Sequence, residues 1–321
     1  MRKCIIVFLV KPKKTVDIII AAKNESPYIG CCLDSLLLQS SKKYTFELNI
    51  IVVDNGSIDG TPEVAKSRTE NVFCKPELTL AEVRNFGVTQ GNGEYLAFID
   101  ADCSCATGWL DSAISFLEVD KAGAVGGPCS LPERTTLVER AWVGRGIPKM
   151  LLEVDELATS SFITKRDTFE QVGGFNSSLG AGEDTDLSLK IRQQVGRLVR
   201  LNGCRVVHYG YPKTFLEFCK REYWHGLWEA RRTQGRSKIL LVSYIFVTLI
   251  LVTIVALFLR MEFFSFVAFL LLFSLPVKLT WKKRAKSEFM IFSRESCVLL
   301  LLNFVYLLVR ATAGIYVALK E

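Results

Sequence analysis

The sequence predicts an α/β domain with a mostly parallel sheet, followed by a small α-helical membrane region. Apolar, strand-like runs alternate with segments of helical periodicity from residue 16 onward, which is typical of a doubly wound sheet. Long apolar runs follow residue 238 and make the mean hydropathy positive. We therefore expect one domain at residues 1–235, ending in an interfacial segment, and a membrane region at residues 236–321.

Length, charge and cysteine usage narrow the class of protein. A chain of 321 residues with a net charge of +7 has room for one large domain and a smaller unit. Its ten cysteines lack the spacing of a disulfide framework or a zinc site, so we expect reduced thiols in a cytoplasm-facing domain. The apolar stretch at 4–10 is too short to span a bilayer, and we interpret it as a peripheral strand or a start-site artefact.

Strand and helix signals follow one another in the first part of the chain. A strand is predicted at 16–22, and Ser26 and Pro27 then suit the N-cap and first position of a helix. A second strand is predicted at 48–53 and ends at Asp54. This alternation of strand, helix and strand favours a parallel arrangement.

The central stretch of the domain is an apolar run at 96–99 that leads into Asp100 and Asp102. Such a run is typical of a buried strand, and ligands bind at the carboxyl edge of open α/β sheets. Two carboxylates at that edge suit Mg²⁺ or Mn²⁺. The alternative is that both aspartates only cap the following loop.

The chain has no G-x-G-x-x-G after its first strand, which weighs against a dinucleotide-dependent oxidoreductase. Polar and acidic residues instead follow successive strands, at 23–25, at Asp54 and at Asp100 and Asp102. A site lined in this way suits a nucleotide that is held partly through a metal ion.

Several motifs in a fixed order resemble family 2 glycosyltransferases of the GT-A fold. They are Ile-Ile-Ala-Ala-Lys-Asn-Glu at 19–25, Val-Val-Asp-Asn-Gly-Ser-Ile-Asp-Gly-Thr at 52–61, Arg-Asn-Phe-Gly at 84–87, Gly-Glu-Tyr-Leu-Ala-Phe-Ile-Asp-Ala-Asp at 93–102, Val-Gly-Gly-Phe-Asn at 172–176 and Gly-Glu-Asp-Thr-Asp-Leu at 182–187. Each motif alone is weak, but their order over residues 15–210 is specific.

The resemblance implies a role for each matching residue. Asp54 is expected to contact the nucleoside base, Asp100 the ribose or a metal-bound water, and Asp184 to be the catalytic base. Further donor-binding residues would be Ala22, Asn24, Glu25 and Arg84, and the Mg²⁺ or Mn²⁺ ligands would be Asp102 and His208. For His208, a packed neutral histidine is the other interpretation. The sequence departs from the family at Lys23, where a tyrosine is usual, so Lys23 lies over a phosphate or is simply solvated.

The residues around Asp184 support that role independently. Apolar residues recur every four positions from Leu187, so Glu183 and Asp184 are predicted to open a helix, whose dipole favours their ionised form. An ionised carboxylate can take a proton from an acceptor hydroxyl. Glu183 is expected on the acceptor side, and ordinary acidic decoration of a helix start is the alternative.

Trp224 occupies the place where processive synthases of the family carry Gln-x-x-Arg-Trp, but no Gln or Arg stands at those offsets here. Trp224 and Trp228 are four residues apart and are predicted to share a helix face. Trp224 is an acceptor-side candidate that either stacks on a sugar or, as we favour, lies at the membrane interface.

Apolar runs at 239–259 and 263–277 predict a transmembrane hairpin, and a third at 296–309 either spans or lies in the interface. Cations before the first run and after the second place that side in the cytoplasm. We expect a membrane-anchored, inverting glycosyltransferase, with a UDP sugar as donor and a lipid or lipid-linked acceptor. The alternatives are a processive polysaccharide synthase and a catalytically silent sugar-nucleotide-binding partner subunit. No nucleic-acid partner is expected.

Overall fold

The computed structural model describes residues 11–144, 151–285 and 293–320, so the apolar stretch at 4–10 lies outside the described residues. The chain divides into two compact units. The sheet unit comprises residues 11–130, 151–178 and 183–209, and the helical unit comprises 131–144, 179–182, 210–285 and 293–320. The predicted domain boundary at residue 235 stays a prediction. In the structure, the interfacial segment that precedes it groups with the apolar helices.

The sheet unit contains the strands of the fold. They are β1 (Lys13–Ala22), β2 (Thr45–Asp54), β3 (Val72–Cys74), β4 (Tyr95–Phe98), β5 (Cys103–Cys105), β6 (Ala124–Gly126), β7 (Cys129–Ser130), β8 (Leu151–Val154), β9 (Phe162–Lys165), β10 (Leu198–Leu201) and β11 (Val206–His208). Eight of them form one sheet in the order β3-β2-β1-β4-β9-β6-β10-β8, and β5-β11-β7 form a smaller sheet.

The α/β fold class is confirmed, and the large sheet is mixed. β1 pairs in parallel with both β2 and β4, as the alternation of strands and helices predicts. β9 then runs antiparallel between β4 and β6, and β8 runs antiparallel at the edge beside β10. The parallel half therefore coincides with the motif-bearing strands β1, β2 and β4.

Helices surround the sheets and continue to the C-terminal end. They are α1 (Ile29–Leu37), α2 (Thr61–Lys66), α3 (Leu80–Thr89), α4 (Trp109–Val119), α5 (Leu137–Val143), α6 (Arg166–Gln171), α7 (Glu183–Gln194), α8 (Phe215–Thr233), α9 (Lys238–Phe258), α10 (Glu262–Arg284) and α11 (Arg294–Lys320). The prediction that Ser26 caps α1 is wrong. The N–H groups of Tyr28 and Ile29 both donate to the carbonyl of Glu25, so a turn precedes the helix and delays its start.

The core of the sheet unit has two layers because its central strands are covered on both faces. Ile18 and Ile20 point into one cluster and Ile19 into the other, as the alternation of side chains along a strand requires. All three are fully or almost fully buried, which is typical of parallel strands with helices on both sides. This packing fixes the ends of β1, β2 and β4 relative to one another.

Three helices of the helical unit are long and apolar enough to cross a membrane. They are α9, α10 and α11, with 21, 23 and 27 residues. A hydrocarbon core about 30 Å thick needs roughly 20 helical residues, so each meets the length requirement. The predicted apolar runs are thus confirmed as candidate membrane helices.

Candidate active site

The polar residues predicted from the sequence gather where β1, β2 and β4 end. Ala22 and Asp54 are register partners at the ends of β1 and β2. Asp100 follows the end of β4, and its Oδ1 accepts a hydrogen bond of 3.1 Å from Nη2 of Arg84, which projects from α3. The carboxyl edge of the sheet therefore collects residues that are far apart in the chain.

Hydrogen bonds tie together the two loops that follow β1 and β2. Asn24 has a positive φ of 57°, and its Oδ1 accepts from the N–H of Ile58 at 3.0 Å. The N–H of Glu25 donates to Oγ1 of Thr61 at 2.7 Å, and the carbonyl of Ala22 accepts from the N–H of Asn55. These contacts order the first loop, and its donor-binding role stays a prediction.

Asp54 is buried and keeps one oxygen for a further donor. Its Oδ2 accepts hydrogen bonds of 3.0 Å from the N–H groups of Gly56 and Ser57. Among the residues that the structure describes, none donates to its buried Oδ1. A buried acceptor left unsatisfied costs about 1–3 kcal/mol, so a ligand N–H at this oxygen would remove a real penalty.

A carboxylate, thiol and imidazole cluster follows the end of β4. The ligand atoms of Asp100, Asp102, Cys103 and His208 all lie within 4.8 Å of one another, and Nδ1 of His208 is 3.7 Å from Oδ2 of Asp102. His208 comes to this position because β11 pairs antiparallel with β5, which makes His208 and Cys103 register partners.

The donor set of this cluster fits a divalent cation. Carboxylates and an imidazole suit Mn²⁺, and carboxylates suit Mg²⁺. Burial, with the charges of Asp102, Asp100 and Asp59, raises the pKa of Glu25 to about 7, so several acids repel one another here. A bound cation would relieve that repulsion, and Asp102 and His208 would hold it. Burial raises the pKa of the Cys103 thiol, which makes the thiol a poor metal ligand. The position of Cys103 directly after Asp102 is the sequence signal that could have identified it as part of this cluster.

Arg84 links this cluster to the start of α7. Its guanidinium donates to Glu183 through Nη1 and to Asp100 through Nη2, and the side chains of Arg84 and Glu183 are almost fully buried. The acceptor-side role of Glu183 is untested, but its contacts are those of a residue that positions Arg84. Sequence reasoning missed this pair, because 99 positions separate its members and no local pattern marks it.

Asp184 is the next residue of α7 and is only partly buried. Burial, with the neighbouring charge of Glu183, raises its pKa to about 6, while Arg84 opposes that rise. Its Oδ1 accepts a hydrogen bond of 2.8 Å from the N–H of Thr185. A carboxylate with this pKa is ionised at neutral pH and is a stronger base than an ordinary aspartate.

The helical unit contains the predicted tryptophan pair. The rings of Trp224 and Trp228 on α8 have centroids 6.5 Å apart, and Trp224 is 43% exposed. Trp228 packs against Gly180, where an added Cβ would lie only 2.1 Å from its ring, so the glycine is required by this contact. Burial and the charges of Arg221 and Arg310 lower the pKa of His225 to about 4, which leaves it neutral. The acceptor-side role of Trp224 stays a prediction.

Comparison with known proteins identifies the domain that carries the site. Residues 17–172 match the family model described as Glycosyl transferase family 2. This segment is a family 2 glycosyltransferase domain. It contains β1, β2 and β4, and with them the Asp54, Asp100 and Asp102 positions.

The glycosyltransferase domain and the chain around it are similar to several known proteins. The chain is 30% identical over 180 residues to glycosyltransferase AglE of Haloferax volcanii, a match that covers 53% of this chain and 58% of AglE. It is 31% identical over 113 residues to the Escherichia coli protein WfaP, a UDP-Glc:α-D-GlcNAc-diphosphoundecaprenol β-1,3-glucosyltransferase, covering 33% of this chain and 42% of WfaP. The chain thus spans less than two thirds of the length of these curated relatives.

The fold extends beyond the segment matched by the family. The mannosyltransferase PcManGT of Pyrobaculum calidifontis, solved with GDP-Man and Mn²⁺, superposes with a TM-score of 0.60 and 20% identity, covering 97% of this chain and 90% of that chain. The predicted GT-A fold followed by apolar C-terminal helices is confirmed.

Proposed function

We propose that this protein is a membrane-anchored, metal-dependent and inverting glycosyltransferase, which transfers a sugar from a UDP sugar to a lipid or lipid-linked acceptor. The observation that carries the proposal is the pairing of the Asp100–Asp102–His208 cluster with a separate basic carboxylate, Asp184. Arg84 connects the two through its hydrogen bond to Asp100 and its contact with Glu183, the neighbour of Asp184. One group of residues thus holds the donor, while the other deprotonates the acceptor.

The chain's own residues account for the main steps. Asp184 takes the proton of the acceptor hydroxyl as its oxygen attacks the anomeric carbon, and the bond from that carbon to the diphosphate breaks. A single in-line displacement inverts the anomeric configuration. A bound Mg²⁺ or Mn²⁺ would neutralise charge on the leaving diphosphate. Oδ1 of Asp54 would accept a ring N–H of the base, which uracil and guanine offer and cytosine does not.

The acceptor proposal rests on the helical unit. Three apolar helices follow α8, which carries Trp224 together with Arg231 and Arg232 near its end. Tryptophan is enriched at the membrane interface, and each cation near anionic lipid contributes about 1 kcal/mol. The name of WfaP specifies a diphosphoundecaprenol-linked acceptor, which is the same class of substrate. Simple anchoring beside other membrane enzymes is the competing use of these helices.

The charges that flank the apolar helices bear on the orientation in the membrane, and the sequence motifs bear on the alternative functions. Cations before α9 and at the end of α10 support, by the positive-inside rule, our proposal that these ends and the glycosyltransferase domain face the cytoplasm. A processive synthase is disfavoured because the Gln-x-x-Arg-Trp motif is incomplete. A silent partner subunit would neither transfer the sugar nor hydrolyse the donor in the presence of a divalent metal.

The test incubates membranes containing the protein with Mn²⁺ and radiolabelled UDP-glucose, UDP-N-acetylglucosamine or GDP-mannose, and then extracts them with organic solvent. We expect label from a UDP sugar in the solvent phase, reduced when Arg231 and Arg232 are both changed to Glu. The exposed Lys66 of the sheet unit supplies the control Lys66→Glu. Label confined to water-soluble product, with the rate unchanged by the double substitution, would exclude the lipid acceptor, and preference for GDP-mannose would exclude the UDP assignment.

A further inference from the structure

The helical unit contains a cavity of about 430 Å³. Its apolar wall comes from four helices and comprises Trp142, Val143, Ile239, Leu279, Leu299 and Tyr306. Lys282, Lys283 and Arg284 form its charged end. The volume lies within the range of about 300–1,000 Å³ that is usual for small-molecule sites. An apolar chamber with three cations at one end matches an amphiphile with an anionic head.

The position of the cavity along the helices places the cations at headgroup depth. Ile239 is the second residue of α9, and Arg284 is the last residue of α10. The cavity therefore lies at the end of the hairpin where α9 begins and α10 finishes. Since one helical turn is about 5.4 Å, the three cations lie within a turn of the end of an apolar helix, where lipid phosphates are found.

Contacts from α5 fix the charged end. The Nζ of Lys283 lies 3.1 Å from the ring centroid of Trp142 and donates to the Trp142 carbonyl at 3.3 Å. Arg284 donates to the carbonyl of Ala141 at 3.4 Å. The carbonyl and ring partners of Lys283 in these contacts are neutral, so they do not cancel its positive charge.

Two acids among the described residues act on these cations, and each of them pairs with an arginine. Glu295 pairs with Arg140 at 3.5 Å, and Glu222 accepts a hydrogen bond of 2.7 Å from Arg310. Both acids act electrostatically on the charged end, Glu222 on Lys283 and Glu295 on Arg284. Because Glu222 already pairs with Arg310, it does not cancel the charge of Lys283, which together with Lys282 gives this end of the cavity a positive charge that attracts a phosphate.

We propose that this cavity binds the phosphate end of the acceptor lipid, with the phosphate at Lys282–Arg284 and the first part of a single isoprenoid chain against Leu279 and Leu299. This inference rests on the proposed function, which makes the acceptor lipid-linked. It adds a site on α5, α9, α10 and α11 that is built from different residues than Trp224, Arg231 and Arg232 on α8.

The test measures binding of radiolabelled farnesyl phosphate to the full chain in phosphatidylcholine nanodiscs, beside farnesol and inorganic phosphate. We expect farnesyl phosphate to bind about tenfold tighter than either, because only it offers both the charge and the chain. Lys282→Glu with Lys283→Glu should weaken farnesyl phosphate about tenfold or more and leave farnesol unchanged. Val143→Phe should weaken both isoprenoids by filling the cavity. Lys320→Glu, a single charge reversal at the other end of α11, is the control for a charge change outside the cavity.

Equal binding of farnesyl phosphate and farnesol, or unchanged binding in both cavity variants, would overturn the proposal. Displacement of the probe by phosphatidylglycerol in the nanodisc would also overturn it, since the cavity would then be a site for bilayer lipid. If the protein with both lysines changed to Glu does not fold, the milder double substitution Lys282→Gln and Lys283→Gln answers the same question. If wild type and cavity variants form equal amounts of lipid-extractable product, the cavity does not bind the acceptor lipid, while the proposed function still stands. Probe binding without any lipid product would refute the function instead.

Discussion

Replacing Asp184 with Asn tests the proposed base, because it removes the charge and the basicity while keeping the shape of the side chain. Transfer should fall by about 10²–10⁴-fold, as expected for a lost general base. Donor affinity should stay within a few fold, since Asp184 is not among the residues that we expect to hold the nucleotide. The wild-type rate should also fall as the pH drops below about 6, where Asp184 becomes protonated.

The same substitution has a predicted effect on stability with a definite sign. The folded state raises the pKa of Asp184 from 3.8 to about 6, so it penalises the ionised carboxylate. One pKa unit corresponds to about 1.4 kcal/mol, so the penalty is on the order of 3 kcal/mol at pH 8 and about half of that at pH 5. It disappears below the unfolded pKa. Asp184→Asn should therefore be more stable than wild type at pH 8, and the difference should shrink as the pH falls.

The assays are single-turnover transfer, donor titration and chemical unfolding of the detergent-solubilised protein at pH 8 and pH 5. Asp167→Asn is the matched control, because Asp167 is an exposed acid in the first turn of α6. It should change neither the rate nor the pH dependence of stability. If donor affinity of Asp184→Asn collapses together with the rate, or if the variant is less stable than wild type at pH 8, the carboxylate holds the nucleotide or the fold and the assignment is wrong.

Four further substitutions test other parts of the structure. Asp102→Ala should abolish the Mn²⁺-dependent part of donor binding in calorimetry, whereas Asp54→Ala should weaken UDP with and without Mn²⁺. Gly180→Ala should slow transfer without unfolding the chain, because the added Cβ meets the Trp228 ring, and a crystal structure or tryptophan fluorescence should report the displaced ring. Arg310→Leu should lower the unfolding midpoint by an amount equivalent to about 3–5 kcal/mol, because it leaves buried carboxylates of α8 unpaired.

The gathering of Asp54 and Asp100 at one edge of the sheet could be predicted because it depends on local patterns. Asp54 and Asp100 directly follow buried apolar strands, and the ends of parallel neighbours meet at one edge of the sheet. The same rule failed for the rest of the sheet. The four residues of β9 do not predict that this strand runs antiparallel between β4 and β6, because the path of the whole chain sets the direction of the strand.

The contacts that bridge distant segments could not be predicted. Cys103 and His208 meet only because β5 and β11 pair across 105 positions, and the pairing of Arg84 with Glu183 spans 99. The family resemblance singled out Asp184 as the base, but the helix-start pattern alone does not separate it from Glu183, because acidic residues at helix starts are common. Burial separates the two, and burial is a property of the packed chain.

The third apolar helix shows the same limit in the membrane region. Length and hydropathy make α11 equivalent to α9 and α10, yet 44% of its apolar window is buried inside the protein against 28% for each of the others. Arg310 is tolerable in this helix because Glu222 and Glu229 of α8 accept its hydrogen bonds at 2.7 and 2.8 Å. Gly226 of α8 makes that approach possible, since an added Cβ would lie 2.8 Å from Cβ of Ala313.

The contacts of α11 with α9 also differ from those of two parallel spans. Phe246 packs on Phe304 with ring centroids 4.9 Å apart, while Leu240 shares a cluster with Val317. The later residue on α9 thus lies near the earlier residue on α11, so the two helices run antiparallel. The charged helix α8 covers one side of α11 and α9 contacts another. The surroundings of α11 therefore depend on two glutamates and a glycine of α8, some eighty residues earlier in the chain. The composition of α11 alone cannot reveal these contacts.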